Sequence, residues 1–206
     1  MAPSIFIYYN KKNKVKVSII LWGKFHAFNL AKELYRHNCL HKLITCYPKY
    51  AVKKYDIPSN KVCSFPYLML LNRRIFPALQ KWYKNRFDPK NISYKVFPRV
   101  ASRSIPSDTE IVVSWTGTAY EAFKKARSIG ARCILDRGSS HPEYCRRILN
   151  EEYVEFDKTK KLPIDYNPAK ATVYDEADYV CIPSLFVKRT FLEYGFPENK
   201  LIHVPY

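Results

Sequence analysis

The feature that most constrains this chain is the alternation of short, β-branched apolar runs with segments of helical periodicity. Residues 15–21 (VKVSIIL) and 111–115 (IVVSW) have the composition of buried strands. Each is followed by a turn and then by apolar residues at helical spacing. Further strands are predicted at 41–46, 61–65, 133–135, 179–182 and 201–204. We therefore predict an α/β fold, a Rossmann-like, mostly parallel sheet with helices on both faces.

Local signals predict several helix ends. Apolar spacing predicts a helix over residues 120–129 that ends at Gly130. Ser140 and Glu143 have the spacing of a capping box, which predicts a helix start beside His141. Ser184 is predicted to cap a helix that ends at Gly195.

The predicted sheet also indicates where function should lie. In open parallel sheets, ligands bind beyond the carboxyl ends of the strands. The predicted functional loops are therefore residues 22–26, 114–118, 136–141 and 182–184.

Positive charge is concentrated in the first half of the chain. Residues 1–103 hold 21 basic and 3 acidic side chains, whereas the whole chain holds 35 and 18. Such an excess indicates a partner that carries phosphates, either nucleic acid or an anionic membrane. The longest stretch without a charged residue has 11 residues, too few to span a bilayer. Since the start also lacks a secretory signal pattern, we predict a cytoplasmic protein, peripheral on the cytoplasmic face of the membrane.

Residues 67–103 combine nine basic side chains and one acidic side chain with several aromatic rings. We predict an interrupted amphipathic helix here, as an insert in a domain that covers 15–206 after a basic lead-in at 1–14. The residues predicted to bind an anionic membrane are Arg73, Arg74, Lys81, Trp82, Lys84 and Arg86. The alternative is that the aromatic rings cover the sheet while the charges are solvated.

Several kinds of chemistry are disfavoured by missing motifs. The chain has no G-x-G-x-x-G, G-x-x-x-x-G-K-[ST], G-x-S-x-G or H-E-x-x-H pattern, which disfavours NAD enzymes, P-loop ATPases, serine hydrolases and zinc proteases. Its six cysteines have no C-x-x-C spacing, which favours free, buried thiols. We predict no metal and no cofactor.

The loop 136–142 (DRGSSHP) is the most concentrated polar segment. It follows a strand and leads into a helix, where free N–H groups favour a bound anion or hydroxyl. Ser139, Ser140 and His141 are therefore candidate binding residues, and the alternative is a helix cap in a surface loop. Gly23, at the end of the first strand, would allow a ligand to approach the backbone, although a plain turn explains it equally well.

The last third of the chain has a recognisable pattern. Residues 176–187 (EADYVCIPSLFV) and 194–206 (YGFPENKLIHVPY) contain an A-D before a strand, a P-S at a helix start, a G-x-P-x-x-K-L and a V-P-Y. In these motifs the chain resembles the N-terminal, acceptor-side domain of family 4 (group 1) glycosyltransferases. These are retaining enzymes of the GT-B fold, which has two Rossmann-like domains. The resemblance is strongest over residues 133–206.

This resemblance implies that a sugar moves from a nucleotide-sugar donor to a hydroxyl acceptor, a lipid-linked glycan or a polysaccharide precursor. It implies that His141 is the catalytic contact to the donor sugar. Gly23 and Lys24 would approach the substrates, and Ser184 would lie at the cleft edge. Because the family's nucleotide-binding C-terminal domain is missing from these 206 residues, the chain alone is expected to be an inactive half of a retaining hexosyltransferase.

Two other classes of function remain open. One is a basic nucleic-acid-binding module, although no RNA-binding motif is present and we expect no nucleic-acid partner. The other is a non-catalytic module that docks on membranes.

Overall fold

A computed structural model describes residues 14–78, 90–156 and 168–205. Over these residues the chain forms one sheet in which all neighbours are parallel, with the order β3-β2-β1-β4-β5-β6-β7. The strands are β1 (Val17–Leu21), β2 (Leu40–Thr45), β3 (Val62–Ser64), β4 (Ile111–Trp115), β5 (Arg132–Asp136), β6 (Tyr179–Ile182) and β7 (Leu201–His203). The prediction of a Rossmann-like α/β fold is confirmed.

Helices connect these strands. They are α1 (Ala27–Arg36), α2 (Lys49–Lys53), α3 (Pro66–Leu70), α4 (Lys90–Ser102), α5 (Thr116–Ser128), α6 (Pro142–Phe156), α7 (Pro168–Glu176) and α8 (Leu185–Glu193). A π-helical turn, Leu71–Ile75, continues α3. Because parallel strands need crossover connections, each connection contains at least one helix and returns the chain to the start of the next strand.

Apolar side chains cover both faces of the sheet. All five residues of β1 are buried, as expected for a central strand. On one face, Ile20 belongs to a core that includes Phe97 and Phe123. On the other face, the neighbouring Ile19 belongs to a core that includes Phe28. The alternation along β1 therefore contributes side chains to two cores.

The strand order reverses between β1 and β4. The chain proceeds from β1 to β2 and β3 on one side, and from β4 to β7 on the other. Connections therefore leave the carboxyl ends of β1 and β4 in opposite directions, which opens a crevice between them.

The predicted capping box at Ser140 is wrong. The helix begins at Pro142, and the backbone N–H of Glu143 donates to Nδ1 of His141 at 3.3 Å. The Ser140 hydroxyl lies instead 2.9 Å from the Cys145 sulfur. His141 thus takes the capping position, because the proline sets the first turn one residue later than the capping box requires.

Other boundaries differ in smaller ways. α5 begins at Thr116, whereas the sequence predicts its start at Tyr120. The predicted interrupted helix over 67–103 consists of α3, its π turn and α4, while residues 79–89 lie outside the described part. The structure therefore describes both ends of the predicted insert.

All six cysteines are free thiols, as predicted. Cys46 and Cys133 are fully buried, and the other four are half-buried. Burial raises the pKa of Cys133 to about 11 and that of Cys181 to about 12. These thiols therefore pack as small apolar groups in their neutral form.

Candidate functional site

A cavity of about 610 Å³ opens at the carboxyl ends of β1, β4 and β5. Three segments at strand ends line it, namely the turn after β1, the first turn of α5 after β4, and the loop that leaves β5, and residues of α4 complete the lining. The three strand-end segments belong to three of the four predicted functional loops. The fourth, residues 182–184, does not line the cavity.

One side of the cavity is built from aromatic rings. Trp22 lies 4.9 Å from Tyr94 and 5.3 Å from Phe97, measured between ring centroids. Tyr94 and Phe97 come from α4, whereas Trp22 follows β1. Phe25 and Trp115 add two more rings to the lining. We call these five residues the aromatic wall. Phe97 is fully buried and packs against Trp22, while the other four rings are at least partly exposed and offer apolar surface to a ligand.

A histidine and an aspartate face the same cavity. Nε2 of His26 lies 2.8 Å from Oδ2 of Asp136. The Asp136 side chain is 8% exposed and that of His26 is 29% exposed. The carboxylate is thus held inside the protein, while the imidazole remains accessible to a ligand.

The backbone positions both members of this pair. His26 is the N-cap of α1, and its carbonyl oxygen accepts hydrogen bonds from the N–H groups of Asn29 and Leu30 at 3.0 Å. Asp136 is the last residue of β5 and lies in register with Trp115 of β4, whose ring is 5.4 Å from that of His26. The pair is therefore fixed by a helix start and a strand end.

This arrangement has a definite chemical capacity. When the Nε2–H group of His26 donates to Asp136, the lone pair of the ring lies on Nδ1. That nitrogen can accept a proton, and the carboxylate then stabilises the imidazolium that forms. A histidine held in this way is suited to act as a general base.

The architecture has parallels among known proteins. No protein-family model matches the sequence, and no curated protein matches it. Among solved structures, a UDP-N-acetylglucosamine 2-epimerase shares 12% identity at a TM-score of 0.55, over 93% of this chain and 48% of its own. LpCGTa in complex with UDP shares 15% identity at a TM-score of 0.51, over 94% of this chain and 53% of its own. A UDP-glucosyltransferase from Polygonum tinctorium shares 15% identity at a TM-score of 0.46, over 94% of this chain and 53% of its own.

The chain has the fold of one half of a GT-B protein. It spans about half the length of the solved structures that it matches. At such low identity the likeness extends to the fold, so the chemistry of this GT-B half depends on its own residues.

The turn after β1 brings Gly23 and Phe25 together. Phe25 has a φ of 39°, and its side chain is 70% exposed at the cavity. A Cβ atom at Gly23 would lie 3.1 Å from the Phe25 ring. Glycine is therefore the residue that lets this ring pack across the turn without displacement.

Arg137 brings a positive charge to the same cavity, which sequence reasoning missed. Its guanidinium donates to the Ser140 carbonyl at 3.0 Å, and its backbone N–H donates to the Cys181 carbonyl at 2.9 Å. Its buried Nε has no hydrogen-bond partner among the described residues. Arg137 can thus offer charge to an anionic group in the cavity.

The structure brings together only some of the residues predicted for substrate binding. Gly23 and Ser139 line the cavity. Lys24 does not line it; its ammonium lies 4.9 Å from the centre of the Tyr55 ring, and the hydrogen bond that this ammonium donates to the Tyr55 oxygen raises the pKa of Lys24. Ser184 lies outside as well, because its hydroxyl accepts from the backbone N–H of Val187 at 3.2 Å. Ser140 is likewise outside the lining.

His141 lies in a separate cavity of about 350 Å³. Its ring stacks on Tyr194 at 4.8 Å and meets the edge of Phe191 at 5.0 Å. Burial lowers the pKa of His141. The predicted contact of His141 with a donor sugar stays a prediction, but the structure does not bring His141 into the cavity of His26.

Only two of the six predicted membrane contacts lie within the described residues. Arg73 and Arg74 are exposed on the π turn, whereas the other four predicted membrane contacts lie outside the described residues. These are Lys81, Trp82, Lys84 and Arg86.

No helix of the described part is long and apolar enough to cross a bilayer. Across the described ranges, no cluster of three or more His, Cys, Asp or Glu is placed to hold a metal ion.

Proposed function

We propose that this chain is the acceptor-binding half of a glycosyltransferase that uses a nucleotide-sugar donor, with His26 as the general base. The observation that carries the proposal is the 2.8 Å contact between His26 and the buried Asp136, inside a 610 Å³ cavity at the carboxyl ends of the strands. The GT-B fold and the family resemblance of residues 133–206 support the same reaction class.

The proposed step is a displacement at the anomeric carbon. The acceptor hydroxyl lies in the cavity and gives its proton to Nδ1 of His26 as its oxygen bonds to that carbon. The bond between the sugar and the nucleotide phosphate breaks, and its electron pair leaves with the nucleoside diphosphate. Asp136 stabilises the imidazolium until the proton is released to solvent.

The lining of the cavity indicates what an acceptor must present. Five aromatic rings line it, together with the polar side chains of His26, Asp136 and Arg137. An acceptor that fits would place an apolar or ring face on the aromatic wall and a hydroxyl at His26. The predicted acceptors, a lipid-linked glycan or a polysaccharide precursor, remain predictions to be measured against this requirement.

A second candidate follows from the likeness to a UDP-N-acetylglucosamine 2-epimerase, at a TM-score of 0.55. In that case the chain would change the configuration of the donor sugar and would need no acceptor. A base such as His26 also suits removal of a proton from carbon.

A transfer assay tests the proposed function. The chain, joined to its nucleotide-binding half, is incubated with UDP-sugars and a panel of hydroxyl compounds, and products are identified by mass. We expect the acceptor to gain one sugar as UDP is released. Conversion of the UDP-sugar to its C2 epimer without an acceptor would instead support the second candidate, and neither product would refute both.

The same assay tests the predicted stereochemistry. The resemblance predicts that the anomeric configuration of the sugar is retained. A base beside the acceptor also suits a displacement that inverts this configuration. The anomeric configuration of the product, read by NMR, separates these two.

A further inference from the structure

Two short helices begin beyond the carboxyl ends of two neighbouring strands at one corner of the sheet. α2 follows β2 and α3 follows β3, and these strands are parallel neighbours with Thr45 paired to Ser64. The backbone N–H of Phe65 donates to the Thr45 carbonyl at 2.9 Å. Both helices therefore leave the sheet from adjacent carboxyl ends.

This corner is strongly cationic. Five of its basic side chains are exposed, and none of them forms an ion pair with a described carboxylate. They are Lys49, Lys53, Lys54, Arg73 and Arg74. The nearby Asp56 pairs with Lys32 at 2.8 Å. The charge of the corner is thus available to an external anion.

The same corner exposes four large apolar side chains. Tyr50 is 75% exposed, Leu70 57%, Tyr67 52% and Ile75 42%. We call the five cations and these four side chains the α2–α3 surface. Exposed apolar groups among exposed cations are expected at an interaction site.

We propose that the α2–α3 surface docks this protein on an anionic lipid membrane. Lysine and arginine side chains gain attraction from anionic headgroups, while tyrosine, leucine and isoleucine enter the boundary between headgroups and acyl chains. Nucleic acid would also attract the charges, but it binds apolar surface by stacking bases on aromatic rings. The aliphatic Leu70 and Ile75 cannot stack, so the composition favours lipid.

The surface adjoins the cavity of His26. α3 and its π turn pack against α4, which contributes Tyr94 and Phe97 to the aromatic wall. A docked membrane would therefore lie near the cavity mouth, where a membrane-bound acceptor is accessible. Docking does not depend on the proposed glycosyltransferase activity, so either can fail without the other.

Vesicle sedimentation of the 206-residue chain tests the proposal. We expect binding to vesicles that contain phosphatidylserine, little binding to phosphatidylcholine alone, and weaker binding as salt is raised. Changing Lys49, Lys53, Lys54, Arg73 and Arg74 to Gln should lower the partition coefficient about 100-fold or more. Changing Tyr50, Leu70 and Ile75 to Ser should lower it about 10-fold or more with the salt dependence retained.

A matched control removes five exposed cations elsewhere on the described surface. Lys14, Arg103, Lys124, Arg132 and Arg189 are all exposed, and their joint change to Gln removes the same charge. We expect this control to bind within about threefold of the wild type, since only cations near the membrane contribute.

Circular dichroism and thermal unfolding confirm that each variant is folded before its binding is compared. Equal losses in the two five-cation variants would overturn the proposal, because net charge rather than the α2–α3 surface would then control binding. Binding to single-stranded RNA without binding to anionic vesicles would overturn it as well.

Discussion

Phe25 has a backbone conformation that bulky residues rarely adopt. Its φ of 39° is in the left-handed region, yet its side chain is 70% exposed and buries little that could offset the strain. The ring lines the cavity of His26. Strain at such a position is consistent with a residue that serves ligand binding rather than folding.

Replacing Phe25 with Asn should therefore stabilise the chain. Asparagine tolerates the left-handed region, so we expect the free energy of unfolding to rise by about 1 kcal/mol. Acceptor affinity should fall because the ring is lost. Chemical denaturation measures the first effect, and quenching of the cavity residues Trp22 and Trp115 measures the second. A Phe25→Asn chain less stable than Phe25→Leu, which keeps the strain, would contradict this account.

His141 should contribute to stability through its helix cap and its stacked ring. We expect His141→Ala to lower the free energy of unfolding by about 1–2 kcal/mol. His141→Asn is the matched control, because it can keep the cap but loses the stack. If His141 contacts the donor sugar as the resemblance implies, kcat/KM would also fall in the Asn variant.

Protonation of His141 should also make stability depend on pH. Burial lowers its pKa in the folded chain below the ordinary value of 6.5, so below that pH the unfolded chain binds more protons. Stability should therefore be complete above pH 6.5 and decrease as the pH falls through the lowered pKa. Denaturation curves at several pH values should show a shallower decrease for His141→Asn. An identical pH dependence in both proteins would refute this interpretation.

The sequence predicted the three strand-end segments that line the cavity, but it did not predict that α4 joins them or that His26 contacts Asp136. His26 and Asp136 are 110 positions apart, and no local spacing links them. The available signal was that each lies in a predicted functional loop that follows a strand. Identifying their contact required the strand order, which places β4 between β1 and β5.

At the scale of elements, the helix cap predicted at Ser184 is confirmed. Its hydroxyl caps α8 by accepting from the Val187 N–H. Serine before a helix is favoured for this reason, and the cap needs no tertiary partner. The capping box at Ser140 failed because Pro142 and the stacked ring of His141 set a different helix start.

Removing the Ser184 cap should affect stability alone. We expect Ser184→Ala to lower the free energy of unfolding by about 1 kcal/mol. Ser184→Asp should keep most of the stabilisation that the cap provides. Acceptor affinity should not change, because Ser184 is outside the cavity lining. Ser128→Ala, at an exposed hydroxyl near the end of α5, is the control. A loss of affinity in Ser184→Ala would instead support the predicted role at the cleft edge.

At the scale of the whole molecule, the α/β layout was predictable because strand and helix periodicities differ clearly along the chain. The α2–α3 surface was predictable only in part. Arg73 and Arg74 were identified from composition, but Lys49, Lys53 and Tyr50 belong to a different segment. Only the parallel pairing of β2 with β3 brings the two segments together.

The isolated chain should fold as a cooperative unit and transfer no sugar. Two cores share one sheet, so the two faces cannot unfold independently. We expect one denaturation transition that coincides for circular dichroism and tryptophan fluorescence. Measurable sugar transfer by the 206 residues alone would show that a nucleotide-binding half is not needed.

The value of kcat/KM for a His26 variant tests the central claim most directly, measured with the chain joined to a nucleotide-binding half. With His26 as the base, His26→Ala should lower kcat/KM by about 10²-fold or more, because no other group then accepts the proton of the acceptor hydroxyl. His203→Ala, at an exposed histidine of β7, should match the wild type. A His26→Ala protein with the wild-type kcat/KM would contradict the account.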